Sequence, residues 1–185
     1  MRKLFGLKLY GICLFILRFS EISFAQSTIQ EILNNGPTDK RINIVFLSEG
    51  YTSAQLPRYI TDASNNLDSL LNTSPYSAYR TYFNAFVIST ASIESGSDHP
   101  SSNVYRNTYF NSTYDGHLIT IDAEGYRRVD SLLQLYCPEY DIVVMIVNDP
   151  LYGGSGGSLA IASVNSASAE IVLHELGHSF AKLGD

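Results

Sequence analysis

Residues 141–178 read DIVVMIVNDPLYGGSGGSLAIASVNSASAEIVLHELGH, and this stretch decides the fold. Behind Asp141 runs an unbroken series of Ile, Val and Met, the pattern of a strand covered on both faces. Residues 148–157 are rich in glycine and read as a loop. Residues 159–164 form a second, shorter apolar run, again a strand. A helix is predicted to start near Ser166 or Ser168, because Val172, Leu176, Phe180 and Leu183 then recur at steps of four and three.

Working outward, residues 41–47 (RINIVFL) and 83–88 (FNAFVI) are two more strand candidates. Between them Ser53 reads as an N-cap, and Leu56, Tyr59, Ile60, Ala63, Leu67, Leu70 and Leu71 follow at helical spacing until residues 72–75 (NTSP) stop the pattern. The polar stretch 92–102 reads as a loop. Asp122 is placed to cap a helix carrying Tyr126, Val129, Leu132, Leu133 and Tyr136 on one face. Near the start, Ile29, Ile32 and Leu33 suggest a short helix ended by Asn34-Asn35-Gly36-Pro37. Beyond that segment the expected order is β-α-β-loop-α-β-β-α, an α/β fold on a mixed, twisted sheet.

The chain has 185 residues, with 12 Lys and Arg against 18 Asp and Glu. At 45% hydrophobic and 16% charged it is too apolar for a disordered chain, and its length suits one domain with a sizeable core. A pI near 5.1 argues against a nucleic-acid partner. No apolar run reaches the ~20 residues of a membrane span.

Residues 1–25 read as a secretory signal peptide. Arg2, Lys3 and Lys8 precede the apolar run 9–17, and Ser23 and Ala25 supply small residues before Gln26. The expectation is therefore export, to the periplasm, the cell surface or the medium. Without that segment 8 basic residues face 17 acidic ones, a net charge of −9. Cys137 is then the remaining cysteine and is expected to be a buried, inert thiol, so stability must come from packing or a metal.

The chemistry concentrates in His174-Glu175-Leu176-Gly177-His178. Two histidines four residues apart lie about 6 Å apart along one helix face, so both imidazoles can reach one ion. Imidazole nitrogen suits Zn2+, and Glu175 beside the first histidine is placed to take a proton from a water that the metal acidifies. A catalytic zinc calls for a third protein ligand, and Asp185 is the candidate. On an unbroken helix Asp185 would lie about 16.5 Å beyond His174 along the axis. That is further than two ligands of one ion can stand apart, so the helix is expected to stop near Gly184.

Four segments together resemble the IgA-peptidase-type zinc metallopeptidase family of bacteria. They are NIVFLSEGYT (43–52), ESGSDHP (94–100), YGGSGG (152–157) and HELGHSFAKLGD (174–185). The resemblance implies an exported zinc endopeptidase with a zincin-like catalytic domain over residues 26–185. Its active-site helix would carry the HExxH motif, and its C-terminal part is expected to lie beyond Asp185. By position it makes His174 and His178 zinc ligands, Glu175 the catalytic acid/base and Asp185 the third ligand. Zincins of this order use the strand before the helix as an edge that holds an extended peptide. The related metzincin pattern has Gly three residues after the second His and a ligand at six. Ala181 and Gly184 stand there instead, with the acidic residue at seven.

Lesser signals complete the reading. Gly154, Ser155 and Gly156 are expected to form a lip over the cleft and touch substrate. His99, on the polar loop, is a candidate to bind substrate or an oxyanion, against the plainer reading of a surface histidine. Ser48-Glu49-Gly50-Tyr51 reads as a turn at a strand end, and Tyr105, Tyr109, Phe110 and Tyr114 as core aromatics before a ligand patch. The implied partner is a protein or peptide substrate. The alternative is an inactive relative serving as an extracellular protein- or glycan-binding module.

Overall fold

The computed structural model describes residues 27–179, so the expected signal peptide, Phe180, Leu183 and Asp185 lie outside the described residues. Among the described residues the sheet has eight strands: β1 (Thr28–Leu33), β2 (Ile42–Glu49), β3 (Phe83–Ser89), β4 (Thr113–Asp115), β5 (Leu118–Thr120), β6 (Ile142–Val147), β7 (Gly154–Ser155) and β8 (Ala160–Ser163). Their order across the sheet is β1-β3-β2-β6-β8-β7-β5-β4. The central strands β3, β2, β6 and β8 run parallel, while β1 on one side and β7 on the other pair antiparallel with them. The mixed sheet expected from the sequence is present.

Among the described residues three α-helices cover the sheet: α1 (Leu56–Asn72), α2 (Ala123–Tyr136) and α3 (Ser168–Ser179). Strand alternation divides the core between two faces. Ile44, Phe46, Val87, Val144 and Ile146 point to the side of α1 and α3, where they meet Ala63, Leu67, Leu70, Ile171, Val172 and Leu176. Val45, Leu47, Ile88, Val143 and Met145 point to the other side, against Val129, Leu132 and Leu133 of α2. This is why 41–47 and 141–147 are apolar without alternation: both faces of those strands are buried.

The caps follow local chemistry. The Asp122 carboxylate accepts the Gly125 amide at 2.7 Å, as its N-cap position predicts, and that hydrogen bond holds the carboxyl below its ordinary pKa. Ahead of α1 the cap is Thr52 rather than Ser53. Thr52 and Gln55 satisfy each other's backbone around a short 3-10 turn. Cys137 is buried and free, and burial pushes its thiol pKa up. Among the described residues no helix is long and apolar enough to cross a membrane.

Two expectations are corrected, and one hairpin appears where no element was assigned. Residues 28–33 form β1, not a helix. Their antiparallel register with β3 shifts between Glu31 and Leu33, and this bulge breaks the alternation that would have marked a strand. Residues 113–120 are a hairpin, with Gly116 at φ +63° in the two-residue turn Gly116-His117. The strand preceding α3 is not an edge, because β8 lies between β6 and β7.

Candidate functional site

Helix α3 turns an apolar face to the sheet and a polar face outward. Asn165 starts it, its side-chain oxygen accepting the Ala167 amide and its backbone carbonyl the Ser168 amide. Ile171, Val172 and Leu176 are buried. Helical rotation then carries His174, Glu175 and His178 to the opposite side, where His174 is exposed and the other two are half-buried.

The two histidine Nε2 atoms stand 3.1 Å apart, with their rings nearly perpendicular at 81°. Two nitrogens bound at ~2.0–2.1 Å to one tetrahedral centre stand about 3.3 Å apart, so this pair fits a shared zinc ion. A carboxylate oxygen of Glu175 completes a group of ligand atoms all within 4.8 Å of one another.

The glycines behind this group are not a lip. Gly154 and Ser155 are β7, pairing with Ala162 and Ile161 of β8, and the strand lies directly against α3. A Cβ on Gly156 would sit 2.8 Å from Glu175 Oε2 and 3.0 Å from His178 Cβ. One on Gly154 would sit 2.4 Å from Ile171 Cγ2 and 3.3 Å from Glu175 Oε1. The glycine run is therefore a packing requirement: only a bare backbone lets the sheet approach the carboxylate this closely. The Ser155 hydroxyl points away, donating to the Ile119 carbonyl of β5.

Beside Glu175 opens a cleft of about 500 Å3. One wall is Ala167 together with Glu170, Ile171, His174 and Glu175 of α3. The other is Gly154 with His117, Leu118 and Tyr152. The His117 and Tyr152 rings meet edge to face, with centroids 5.6 Å apart. Sequence reasoning passed over His117 and Leu118, although Asp115-Gly116 between alternating residues is a hairpin signal that would have placed them at a turn.

His99 is placed elsewhere. It is half-buried and is not among the residues that line this cleft. Its Nε2 lies 2.8 Å from Asp149 Oδ2, and its ring stacks on Tyr114 at 4.5 Å. Tyr114 in turn donates from its hydroxyl to the Leu151 carbonyl at 2.8 Å. Burial, reinforced by the Asp149 charge, pushes the Tyr114 pKa up and keeps that hydroxyl a neutral donor. His99 thus props the segment that leads into β7.

Glu49, read as part of a turn, is the last residue of β2 and fully buried. Thr108 and the Ser112 amide donate to one carboxylate oxygen, the Phe110 amide to the other. Burial raises its pKa and the three donors pull the opposite way. Of the aromatics, Phe110 and Tyr114 are core residues and Tyr105 is exposed.

No curated protein matches the chain. A family model described as IgA Peptidase M64 matches residues 30–185, a span that takes in the whole sheet from Gln30 onward and all of α3. With a match over well more than half its length, the chain belongs to the IgA peptidase M64 family, a family of peptidases.

Proposed function

We propose that the protein is an exported, zinc-dependent endopeptidase with a zincin-like domain in which α3 is the active-site helix. The observation that carries this reading is the 3.1 Å approach of His174 Nε2 and His178 Nε2, with Glu175 between them on the rim of an open cleft. His174 and His178 would hold the ion through these nitrogens, and Asp185 is the candidate third ligand. A zinc ion bound there supplies Lewis acidity, polarising the scissile carbonyl and acidifying a water.

The chain's own residues do the rest. Glu175 takes the proton of the attacking water as the new C–O bond forms. It returns that proton to the amide nitrogen as the C–N bond breaks. Gly154 and Gly156 keep β7 against the carboxylate and narrow its range of positions. The apolar wall of Leu118, Ala167 and Ile171 removes water from one side of the cleft. Residues 1–25 would direct export, and the exported chain would begin at Gln26.

Purified full chain is expected to bind about one zinc and to hydrolyse peptides only when loaded. His174→Ala and His178→Ala should each lose the metal while keeping the circular dichroism of the parent. A folded His174→Ala variant with full zinc content and full hydrolysis would refute the proposal.

A further inference from the structure

We infer that the cleft beside Glu175 selects a lysine or arginine side chain next to the scissile bond, with Glu170 as the carboxylate that receives it. This inference rests on the peptidase reading above and names its substrate class.

The cleft combines two surfaces that together fit one kind of side chain. Leu118, Ala167 and Ile171 give it an apolar lining, and Glu170 stands exposed among them. Among the described residues no Lys or Arg lines the cleft. On α2 Glu124 is bridged by Arg127 and Arg128, and on α1 Asp68 is bridged by Arg80. Glu170 makes no ion pair among the described residues. A long basic side chain uses both surfaces, laying its methylenes on apolar groups and presenting a charged head to a carboxylate. A neutral aliphatic side chain would fill the lining and leave Glu170 without a partner. A free α-amine would reach Glu170 and leave the lining unused.

The position of Glu170 keeps the head apart from a bound metal. It precedes His174 by four residues, about 6 Å along the helix axis and on the same face. The acidic balance, 17 Asp and Glu against 8 Lys and Arg from Gln26 onward, also favours encounter with cationic peptides.

The test uses acetylated, internally quenched peptides in which each position in turn is Lys, norleucine or Glu, with a non-acetylated norleucine set as a control for α-amine recognition. On zinc-loaded protein kcat/KM is expected to favour Lys over norleucine about tenfold at one position flanking the cleaved bond. Glu170→Gln should bring that ratio to about one, and Glu170→Lys should turn the preference toward Glu. The same ratios are to be read as peptide affinities, by fluorescence anisotropy, on Glu175→Gln protein with and without the change at residue 170. A Lys to norleucine ratio that Glu170→Gln leaves unchanged overturns the inference. So does a preference for non-acetylated peptides that Glu170→Gln abolishes, since that marks recognition of an α-amine. If no peptide is cut, yet Glu175→Gln protein binds the Lys peptide about tenfold more tightly through Glu170, the pocket assignment stands and the peptidase reading falls. Absence of discrimination in both readouts overturns the assignment.

Discussion

Glu49 and Glu175 are carboxylates on the same frame, one ending β2 and the other in the middle of α3. Glu49 is fully buried, with donors from Thr108, Phe110 and Ser112 holding both oxygens. Glu175 is half-buried between two histidines whose nitrogens converge, with Gly154 and Gly156 pressed against it and a cleft alongside. A carboxylate whose lone pairs are taken up by fixed amides organises loops. One that faces a cleft beside two converging imidazole nitrogens sits where the proposed proton transfer would take place. Identical side chains are thus separated by which groups the fold brings to them.

The largest expected effect lies on the catalytic side of this pair. Glu175→Gln removes the proton acceptor and should lower kcat about 10³-fold, with zinc content and thermal stability close to the parent. Steady-state kinetics and metal analysis on one preparation check this, and comparable turnover would show that another group takes the proton.

The converse change comes next. Glu49→Ala strands three buried donors and should cost about 3–5 kcal/mol in urea unfolding, while folded protein keeps its activity per bound zinc. Its pH signature sharpens the contrast. Burial raises the Glu49 pKa, so the folded state holds that proton more tightly than the unfolded chain. Its contribution is fullest below the unfolded-state pKa and shrinks as pH rises through the folded value. The stability gap between parent and Glu49→Gln should narrow in that direction, and a gap that widens with pH would refute the assignment.

Gly156→Ala tests how closely the sheet backs the site. The added methyl would meet Glu175 Oε2 at 2.8 Å and the His178 Cβ at 3.0 Å, so carboxylate or strand must move. A fall in kcat of about 10- to 100-fold with little change in KM is expected, since displacements near 1 Å carry losses of that size. The smallest effect is at Asp122. Asp122→Ala should cost about 1 kcal/mol or less through the lost cap on α2. The Gly125 hydrogen bond lowers the Asp122 pKa, so its contribution is present above the unfolded-state value and disappears as pH falls through the folded one. Parent and variant should therefore converge in stability in acid.

The legible parts of the fold were those where one local pattern had one structural meaning. β2, β3 and β6 are continuous apolar runs because both their faces are covered, and α1 and α2 show clean helical spacing above identifiable stops and caps. β1 was not legible. A bulge near Ile32 breaks its alternation, and its pairing partner β3 lies more than 50 residues away. The short β4, β5 and β7 are strands only because neighbours pair with them; Gly154-Ser155 has no strand preference of its own. In the site, the spacing of His174 and His178 was readable from a single helix turn. The contacts of His99 were not readable because its partners Asp149 and Tyr114 are remote in sequence.

By itself the sequence determined the buried parallel strands, the helix that bears HELGH and the face on which its two histidines stand together, since these depend on a continuous apolar run or on a period of 3.6 within a few residues. Tertiary structure decided that a glycine strand lies against Glu175, that Glu49 is a loop anchor, that His99 supports the chain entering β7 and that Glu170 looks into a cleft walled by a hairpin. Each of these is a contact between segments far apart along the chain, and such contacts depend on how the elements pack rather than on any local pattern.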